Sequence, residues 1–262
     1  MTTAPRLRSA FAAPGRPLLV AYLTCGDPAE ATTVAIALAA VSAGADVLEL
    51  GAPYSEPSAD GPAIQRAMER ALSRGGGLTQ TLRVARRLRD AGCEVPLVLF
   101  GYYNPIFVRG AGFAHAALAA GVDAALVVDL PLEEQAELLT PLRAVGLDLV
   151  PLVAPTTTSD RIERIRALAP PFVYCVSMTG VTGSALASPE SLATRLAQVR
   201  TGTEAKVVVG FGIATPNDVR RLALHADGIV VGSAIVRTIE EHPGHEAAAV
   251  ARLVGSLAAA LR

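Results

Sequence analysis

Eight short apolar runs, each followed by a longer amphipathic stretch, fill a chain of 262 residues. They predict an α/β fold: a single (β/α)8 TIM barrel over residues 1–262, with a short extra helix ahead of the first strand. Three observations carry this expectation. The runs are near-continuous in Val, Leu and Ile instead of alternating, as parallel strands covered on both faces require. Eight β-then-α units of this kind occupy roughly 250 residues. No linker, low-complexity segment or charge run divides the chain. An open doubly wound sheet is the competing architecture, and periodicity alone leaves it standing.

Residues 1–17 (MTTAPRLRSAFAAPGRP) carry charge but no apolar signal core, so a short helix under the barrel is expected there and export is not. The strands are LLVAYLT (18–24), DVLELG (46–51), PLVLFGY (96–102), AALVVD (124–129), DLVPLVA (148–154), FVYCVS (172–177), KVVVGF (206–211) and GIVVGS (228–233). After the first, Asp27-Pro28-Ala29-Glu30 reads as an N-cap, a proline at N1 and an acidic residue at N3. Val34, Leu38 and Val41 then fall on one helical face. Segment 61–91 has length for two helices, broken at Gly75-Gly76-Gly77. Ser188-Pro189-Glu190 and Thr215-Pro216-Asn217-Asp218 repeat the helix-start pattern. Gly44, Gly92, Gly121 and Gly146 stand where left-handed C-terminal caps are wanted.

Composition excludes several classes of function. A net charge of -1 offers no basic field for nucleic acid, and aromatics at 4% are too few for a base-stacking surface. No uncharged apolar run reaches the roughly 18 residues of a membrane span. Cys25, Cys93 and Cys175 are odd in number and widely spaced. They read as small apolar residues in a reducing cytoplasm, not as a disulfide or metal framework.

In such a barrel the chemistry sits at the C-terminal ends of the strands. Glu49 lies two residues from the end of strand two between Leu48 and Leu50. Burial there raises its pKa and suits it to proton transfer near neutral pH. The competing reading is a core glutamate paired with an arginine. The loop GAPYSEPSADGP (51–62) adds Glu56 and Asp60, and Asp60 before Gly61-Pro62 could simply cap the next helix. Strands seven and eight end in Gly210-Phe211-Gly212 and Gly232-Ser233, where backbone amides and a helix start can hold a phosphate. The loop MTGVTGSA (178–185) is a candidate lid. The only lysine, Lys206, begins strand seven at the opposite end, which disfavours a Schiff base. His115, His225, His242 and His245 fall in helices or the C-terminal tail, which disfavours a histidine base or a metal–histidine site.

The segment LELGAPYSEPSADGP (48–62) resembles the signature of the tryptophan synthase α subunit. Further matches are TCGDP (24–28), YYNP (102–105), VVDLP (127–131), GVTG (180–183), GFGI (210–213) and GSAIV (232–236), so the similarity covers nearly the whole chain. The resemblance implies retro-aldol cleavage of indole-3-glycerol phosphate to indole and glyceraldehyde 3-phosphate. By this likeness Glu49 is the general acid–base that protonates indole C3. Asp60 is the carboxylate at the indole N–H. Tyr22, Tyr174 and Phe211 wall the indole slot, and Tyr102 faces the substrate. Thr182 closes over Asp60, and amides near Gly183, Gly212, Gly232 and Ser233 take the phosphate. No metal or organic cofactor is implied. The implied partner is a tryptophan synthase β subunit in an α2β2 complex, with no nucleic acid and no membrane. Glu56 and Ser58 depart from the family's usual aspartate and leucine in the loop that meets the β subunit. That departure motivates the alternative of a stand-alone lyase releasing free indole.

Overall fold

The computed structural model describes residues 3–12, 15–176, 189–201, 206–210 and 212–262. Its strands are β1 (Leu18–Thr24), β2 (Val47–Gly51), β3 (Leu97–Gly101), β4 (Ala124–Val127), β5 (Asp148–Leu149), β6 (Leu152–Val153), β7 (Val173–Val176), β8 (Val207–Gly210) and β9 (Gly228–Val231). All described pairings are parallel, in the order β5-β4-β3-β2-β1-β9-β8-β7-β6. The first and last members of that order are two halves of one extended segment, 148–153. Asp148–Leu149 pairs with β4, and Leu152–Val153 pairs with β7. Val150 donates to the Ala125 carbonyl at 2.8 Å, and Tyr174 donates to the Pro151 carbonyl at 3.0 Å. The ring therefore closes as a barrel, and the open doubly wound sheet is excluded. The fifth run, expected as one strand, is split because Pro151 has no N–H to continue a ladder.

The helices are α1 (Pro5–Ala12), α2 (Glu30–Ser42), α3 (Pro62–Leu72), α4 (Leu78–Asp90), α5 (Tyr103–Arg109) and α6 (Phe113–Ala120). They continue with α7 (Ala136–Ala144), α8 (Ser159–Ala167), α9 (Pro189–Arg200), α10 (Pro216–Ala223), α11 (Ser233–Glu241) and α12 (Glu246–Ala259). None of the described helices is long and apolar enough to cross a membrane. The expected break between two helices falls at Gly75–Gly77, and Gly44, Gly92, Gly121 and Gly146 all have positive φ, between 80° and 114°. Thr215 and Asp218 form a reciprocal capping box on α10.

Three local expectations are corrected or refined. Asp27 does not cap α2: Ala29 is the N-cap, without a side-chain bond, and the Asp27 carboxylate is taken by Arg70. On α2, Val34 is buried as expected, but the buried face is extended by Thr33, Ile36, Ala37 and Ala40, while Leu38 and Val41 are partly buried and pack against the same core. Small side chains there let α12 lie close against α2. His225 lies just after α10, in the connection to β9, and not within a helix.

Strand alternation sorts the apolar residues into two layers. One points outward under the helices and includes Leu19, Leu23, Leu48, Leu50, Leu97 and Leu99. The other fills the barrel: Val20, Tyr22, Val98, Phe100, Leu126, Tyr174, Val208 and Val230. Helix α1 plugs the end where the strands begin, with Leu7 and Phe11 in this inner layer and the Phe11 ring 5.3 Å from that of Phe172. Asp148, fully buried, accepts hydrogen bonds from Thr3, Arg8 and Arg143 and ties the plug to the barrel.

Candidate active site

Glu49 stands opposite Tyr22 on β1 and Val98 on β3, both members of the inner layer. Its side chain therefore points into the barrel. It is fully buried, and neither carboxylate oxygen has a hydrogen-bond partner among the described residues. Burial alone pushes its pKa from an ordinary 4.5 up to about 8. Among the described residues no arginine pairs with it, contrary to the alternative of a core ion pair. An unpaired buried carboxylate is costly, which makes Glu49 a candidate functional group.

Asp60 is also buried. It caps nothing: Gly61 is the N-cap of α3, and no side-chain bond serves that end. Instead the Tyr102 hydroxyl donates to Asp60 Oδ2 at 2.6 Å, while that same hydroxyl accepts from the Ala59 amide at 3.0 Å. Gln65 Nε2 grips the Asp60 carbonyl at 2.8 Å, and the Tyr102 ring stacks on Tyr54 at 4.8 Å. Desolvation raises the Asp60 pKa to about 6, with the phenol hydrogen bond pulling the other way. The two acids are therefore set apart by their surroundings: one neutral near pH 7, the other ionised.

Both acids line one pocket at the strands' C-terminal end. Tyr22 and Tyr174 form walls, and Gly212, Gly232 and Ser233 line it where β8 and β9 end. Ser233 opens α11, so a helix start borders this space. Phe100, Ile64, Ile213 and Val230 complete the lining; none was singled out in the sequence. Phe100 could have been found from its inward register near the end of β3, where it meets the Tyr22 ring edge-on at 5.2 Å. Ile64, on α3, and Ile213, in a loop, had no comparable signal.

Two glycines make the tyrosine walls possible. A side chain at Gly51 would overlap the Tyr22 phenol, and one at Gly210 would overlap that of Tyr174. Tyr102 is not part of the lining; it stands behind Asp60. Phe211, Thr182, Gly183 and the candidate lid lie outside the described residues. Glu56 and Ser58 are exposed, so the two departures from the family pattern leave the cavity untouched. Lys206 sits at the far end beside Asp227.

The family model described as tryptophan synthase alpha chain matches residues 9–260. The chain is 46% identical over 259 residues to the tryptophan synthase alpha chain of Neisseria meningitidis serogroup B, covering 98% of this chain and 99% of that one. Among solved structures it is similar to the tryptophan synthase alpha chain of Legionella pneumophila: 34% identity, TM-score 0.88, covering 100% of this chain and 97% of that one. It is similar also to a chain of Mycobacterium tuberculosis tryptophan synthase: 33% identity, TM-score 0.89, coverage 100% and 98%. Nothing in these likenesses supports the stand-alone alternative. The chain belongs to the tryptophan synthase alpha chain family.

Proposed function

We propose that this chain cleaves indole-3-glycerol phosphate into indole and glyceraldehyde 3-phosphate by retro-aldol chemistry. The observation that carries the reading is the Glu49 carboxyl, without a hydrogen-bond partner among the described residues and facing the same cavity as Asp60. The protonated Glu49 gives its proton to indole C3. The cation so formed spreads to the ring nitrogen, where the Asp60 carboxylate accepts the N–H and stabilises it. The bond from C3 to the glycerol carbon then breaks. Its electron pair restores the aromatic ring, and the hydroxyl on the departing carbon becomes the aldehyde. Glu49, now a carboxylate, takes that hydroxyl proton and returns to its starting state. Tyr22, Tyr174 and Phe211 wall the ring. Tyr102 acts on the ring nitrogen only through Asp60. Amides at Gly212, Gly232 and Ser233, with Gly183 and Thr182, hold the phosphate and close the site. The reaction needs neither a metal nor an organic cofactor.

We infer further that the chain works in the cytoplasm as the α subunit of an α2β2 complex with a tryptophan synthase β subunit. The likeness to a chain of the Mycobacterium tuberculosis enzyme supports this. Indole release by the purified chain, measured while a β subunit is titrated in, tests both parts. Cleavage that rises many-fold with the partner is the expected result. No indole from indole-3-glycerol phosphate under any condition would overturn the lyase reading.

A further inference from the structure

Three arginines, Arg66, Arg70 and Arg74, recur every fourth residue along α3 and its C-terminal end, and so share one face. Between them they reach two parts of the scaffold, the loop after β1 and helix α11. Arg70 donates from Nε and Nη2 to the two oxygens of Asp27, at 2.8 and 2.7 Å, in the loop after β1. Its remaining Nη1 donates to Glu240 of α11 at 2.8 Å. Arg66 donates from Nε and Nη2 to the two oxygens of the same Glu240, at 3.1 and 2.9 Å. Arg74 Nη1 donates to the Pro28 carbonyl at 2.7 Å. Asp27 is 2% exposed and Arg70 30%, so the centre of this network is shielded.

The connected elements are those that bring the two ends of the substrate together. Helix α3 starts two residues after Asp60, and its Gln65 holds the Asp60 carbonyl. Helix α11 starts at Ser233, on the anion side of the cavity. Strand β1, before the Asp27 loop, carries Tyr22. A planar guanidinium engaged on three of its nitrogens fixes angle as well as distance, which a lysine ammonium cannot do. Resting on the lyase reading above, we propose that Arg70, with Glu240, Arg66 and Asp27, is a positioning clamp. It holds the Asp60 loop in register with the phosphate-binding start of α11, so that phosphate binding at one end is felt as acid placement at the other. None of the four lines the cavity; each acts through the backbone it braces.

The test uses the full chain with Glu240→Gln and Arg70→Lys. As a control, Arg83→Met removes a comparable ion pair to Glu30 that braces α4 against α2, away from the site. Two readouts are taken: steady-state cleavage, and hydrogen exchange with and without inorganic phosphate. In the unaltered chain phosphate should slow exchange both at residues 232–236 and in the loop 53–61. In Glu240→Gln and Arg70→Lys, protection at 232–236 should remain and that at 53–61 should disappear. In both, kcat should fall roughly tenfold with KM within about twofold, because ground-state anchoring survives and transition-state alignment does not. Arg83→Met should match the unaltered chain. Retained protection at 53–61 in Glu240→Gln, or an equal fall in kcat for Arg83→Met, would overturn the clamp. If the unaltered chain releases no indole while Glu240→Gln still loses the coupling, the lyase reading falls and the clamp stands.

Discussion

Replacing Glu49 by glutamine should make the protein progressively more stable than the unaltered chain as pH rises. The folded-state pKa is raised from 4.5 to about 8 by burial. Between those values the folded chain keeps a proton on Glu49 that the unfolded chain has lost. Wild-type stability therefore falls with rising pH across that window, at about 1.36 kcal/mol per pH unit. It levels off once Glu49 ionises in the folded state as well. From pH 5 to pH 8 this amounts to about 4 kcal/mol. Glutamine does not titrate, so this slope vanishes in the variant. Its own buried amide, if unpartnered, costs about 1–3 kcal/mol at every pH. Asp60 contributes a slope of the same sign from its own raised pKa, but does so in both proteins and cancels in the difference. Urea unfolding of the two proteins at pH 5 and pH 8 measures the effect. The stability gap should move in favour of Glu49→Gln by about 3–4 kcal/mol between the two pH values. A gap constant to within about 1 kcal/mol would refute a buried, protonated Glu49.

The same variant should lose cleavage by about 10²–10⁴-fold, the usual worth of a general acid, in an indole-release assay. For the unaltered chain kcat/KM should rise as Asp60 ionises through a pH of about 6 and fall as Glu49 ionises through about 8, giving a bell centred near 7. Tyr102→Phe removes the hydrogen bond that holds the Asp60 pKa down, so the acid limb of that bell should move to higher pH, with kcat lowered about tenfold. Gly51→Ala puts a methyl into the Tyr22 phenol and should cost roughly 1–3 kcal/mol in a denaturant melt while raising KM. Asp148→Asn, at the plugged end, should destabilise by about 2–3 kcal/mol and leave kcat unchanged, since Arg8 and Arg143 are each about a third exposed and can partly rehydrate.

Much of this fold is written in the sequence because the barrel repeats one physical rule eight times. A strand buried on both faces must be apolar throughout, and that makes LLVAYLT and KVVVGF recognisable without any partner in view. The rule fails where a single residue breaks it. DLVPLVA reads as one strand, yet Pro151 divides it into two short bridges. Asp27 looks like a helix cap because capping is a local pattern, whereas its true partner, Arg70, stands 43 residues away. Asp60 is legible as an acid near Glu49, but its dependence on Tyr102 is a contact across 42 residues that no local pattern records. Phe100 went unmarked for a related reason: an apolar residue in an apolar strand carries no signal until register shows which way it points.

The two ends of the barrel handle buried charge in opposite ways, and this difference separates stability from chemistry. At the plugged end Asp148 and Asp123 are as buried as the site carboxylates. Asp148 is held by Thr3, Arg8 and Arg143, and Asp123 by Arg89 and the Leu97 amide. At the open end, among the described residues, Glu49 has no hydrogen-bond partner and Asp60 has one neutral phenol. A sequence under pressure only for stability would pair all four, or replace Glu49 with an apolar residue of its size. The chain has 22 arginines among its 23 basic residues, yet among the described residues none lines the cavity. On the proposed lyase reading, a cavity without a described arginine keeps Glu49 protonated near neutral pH and leaves Asp60 to meet the cation, so the cost of the unpaired acid would be the condition for that chemistry.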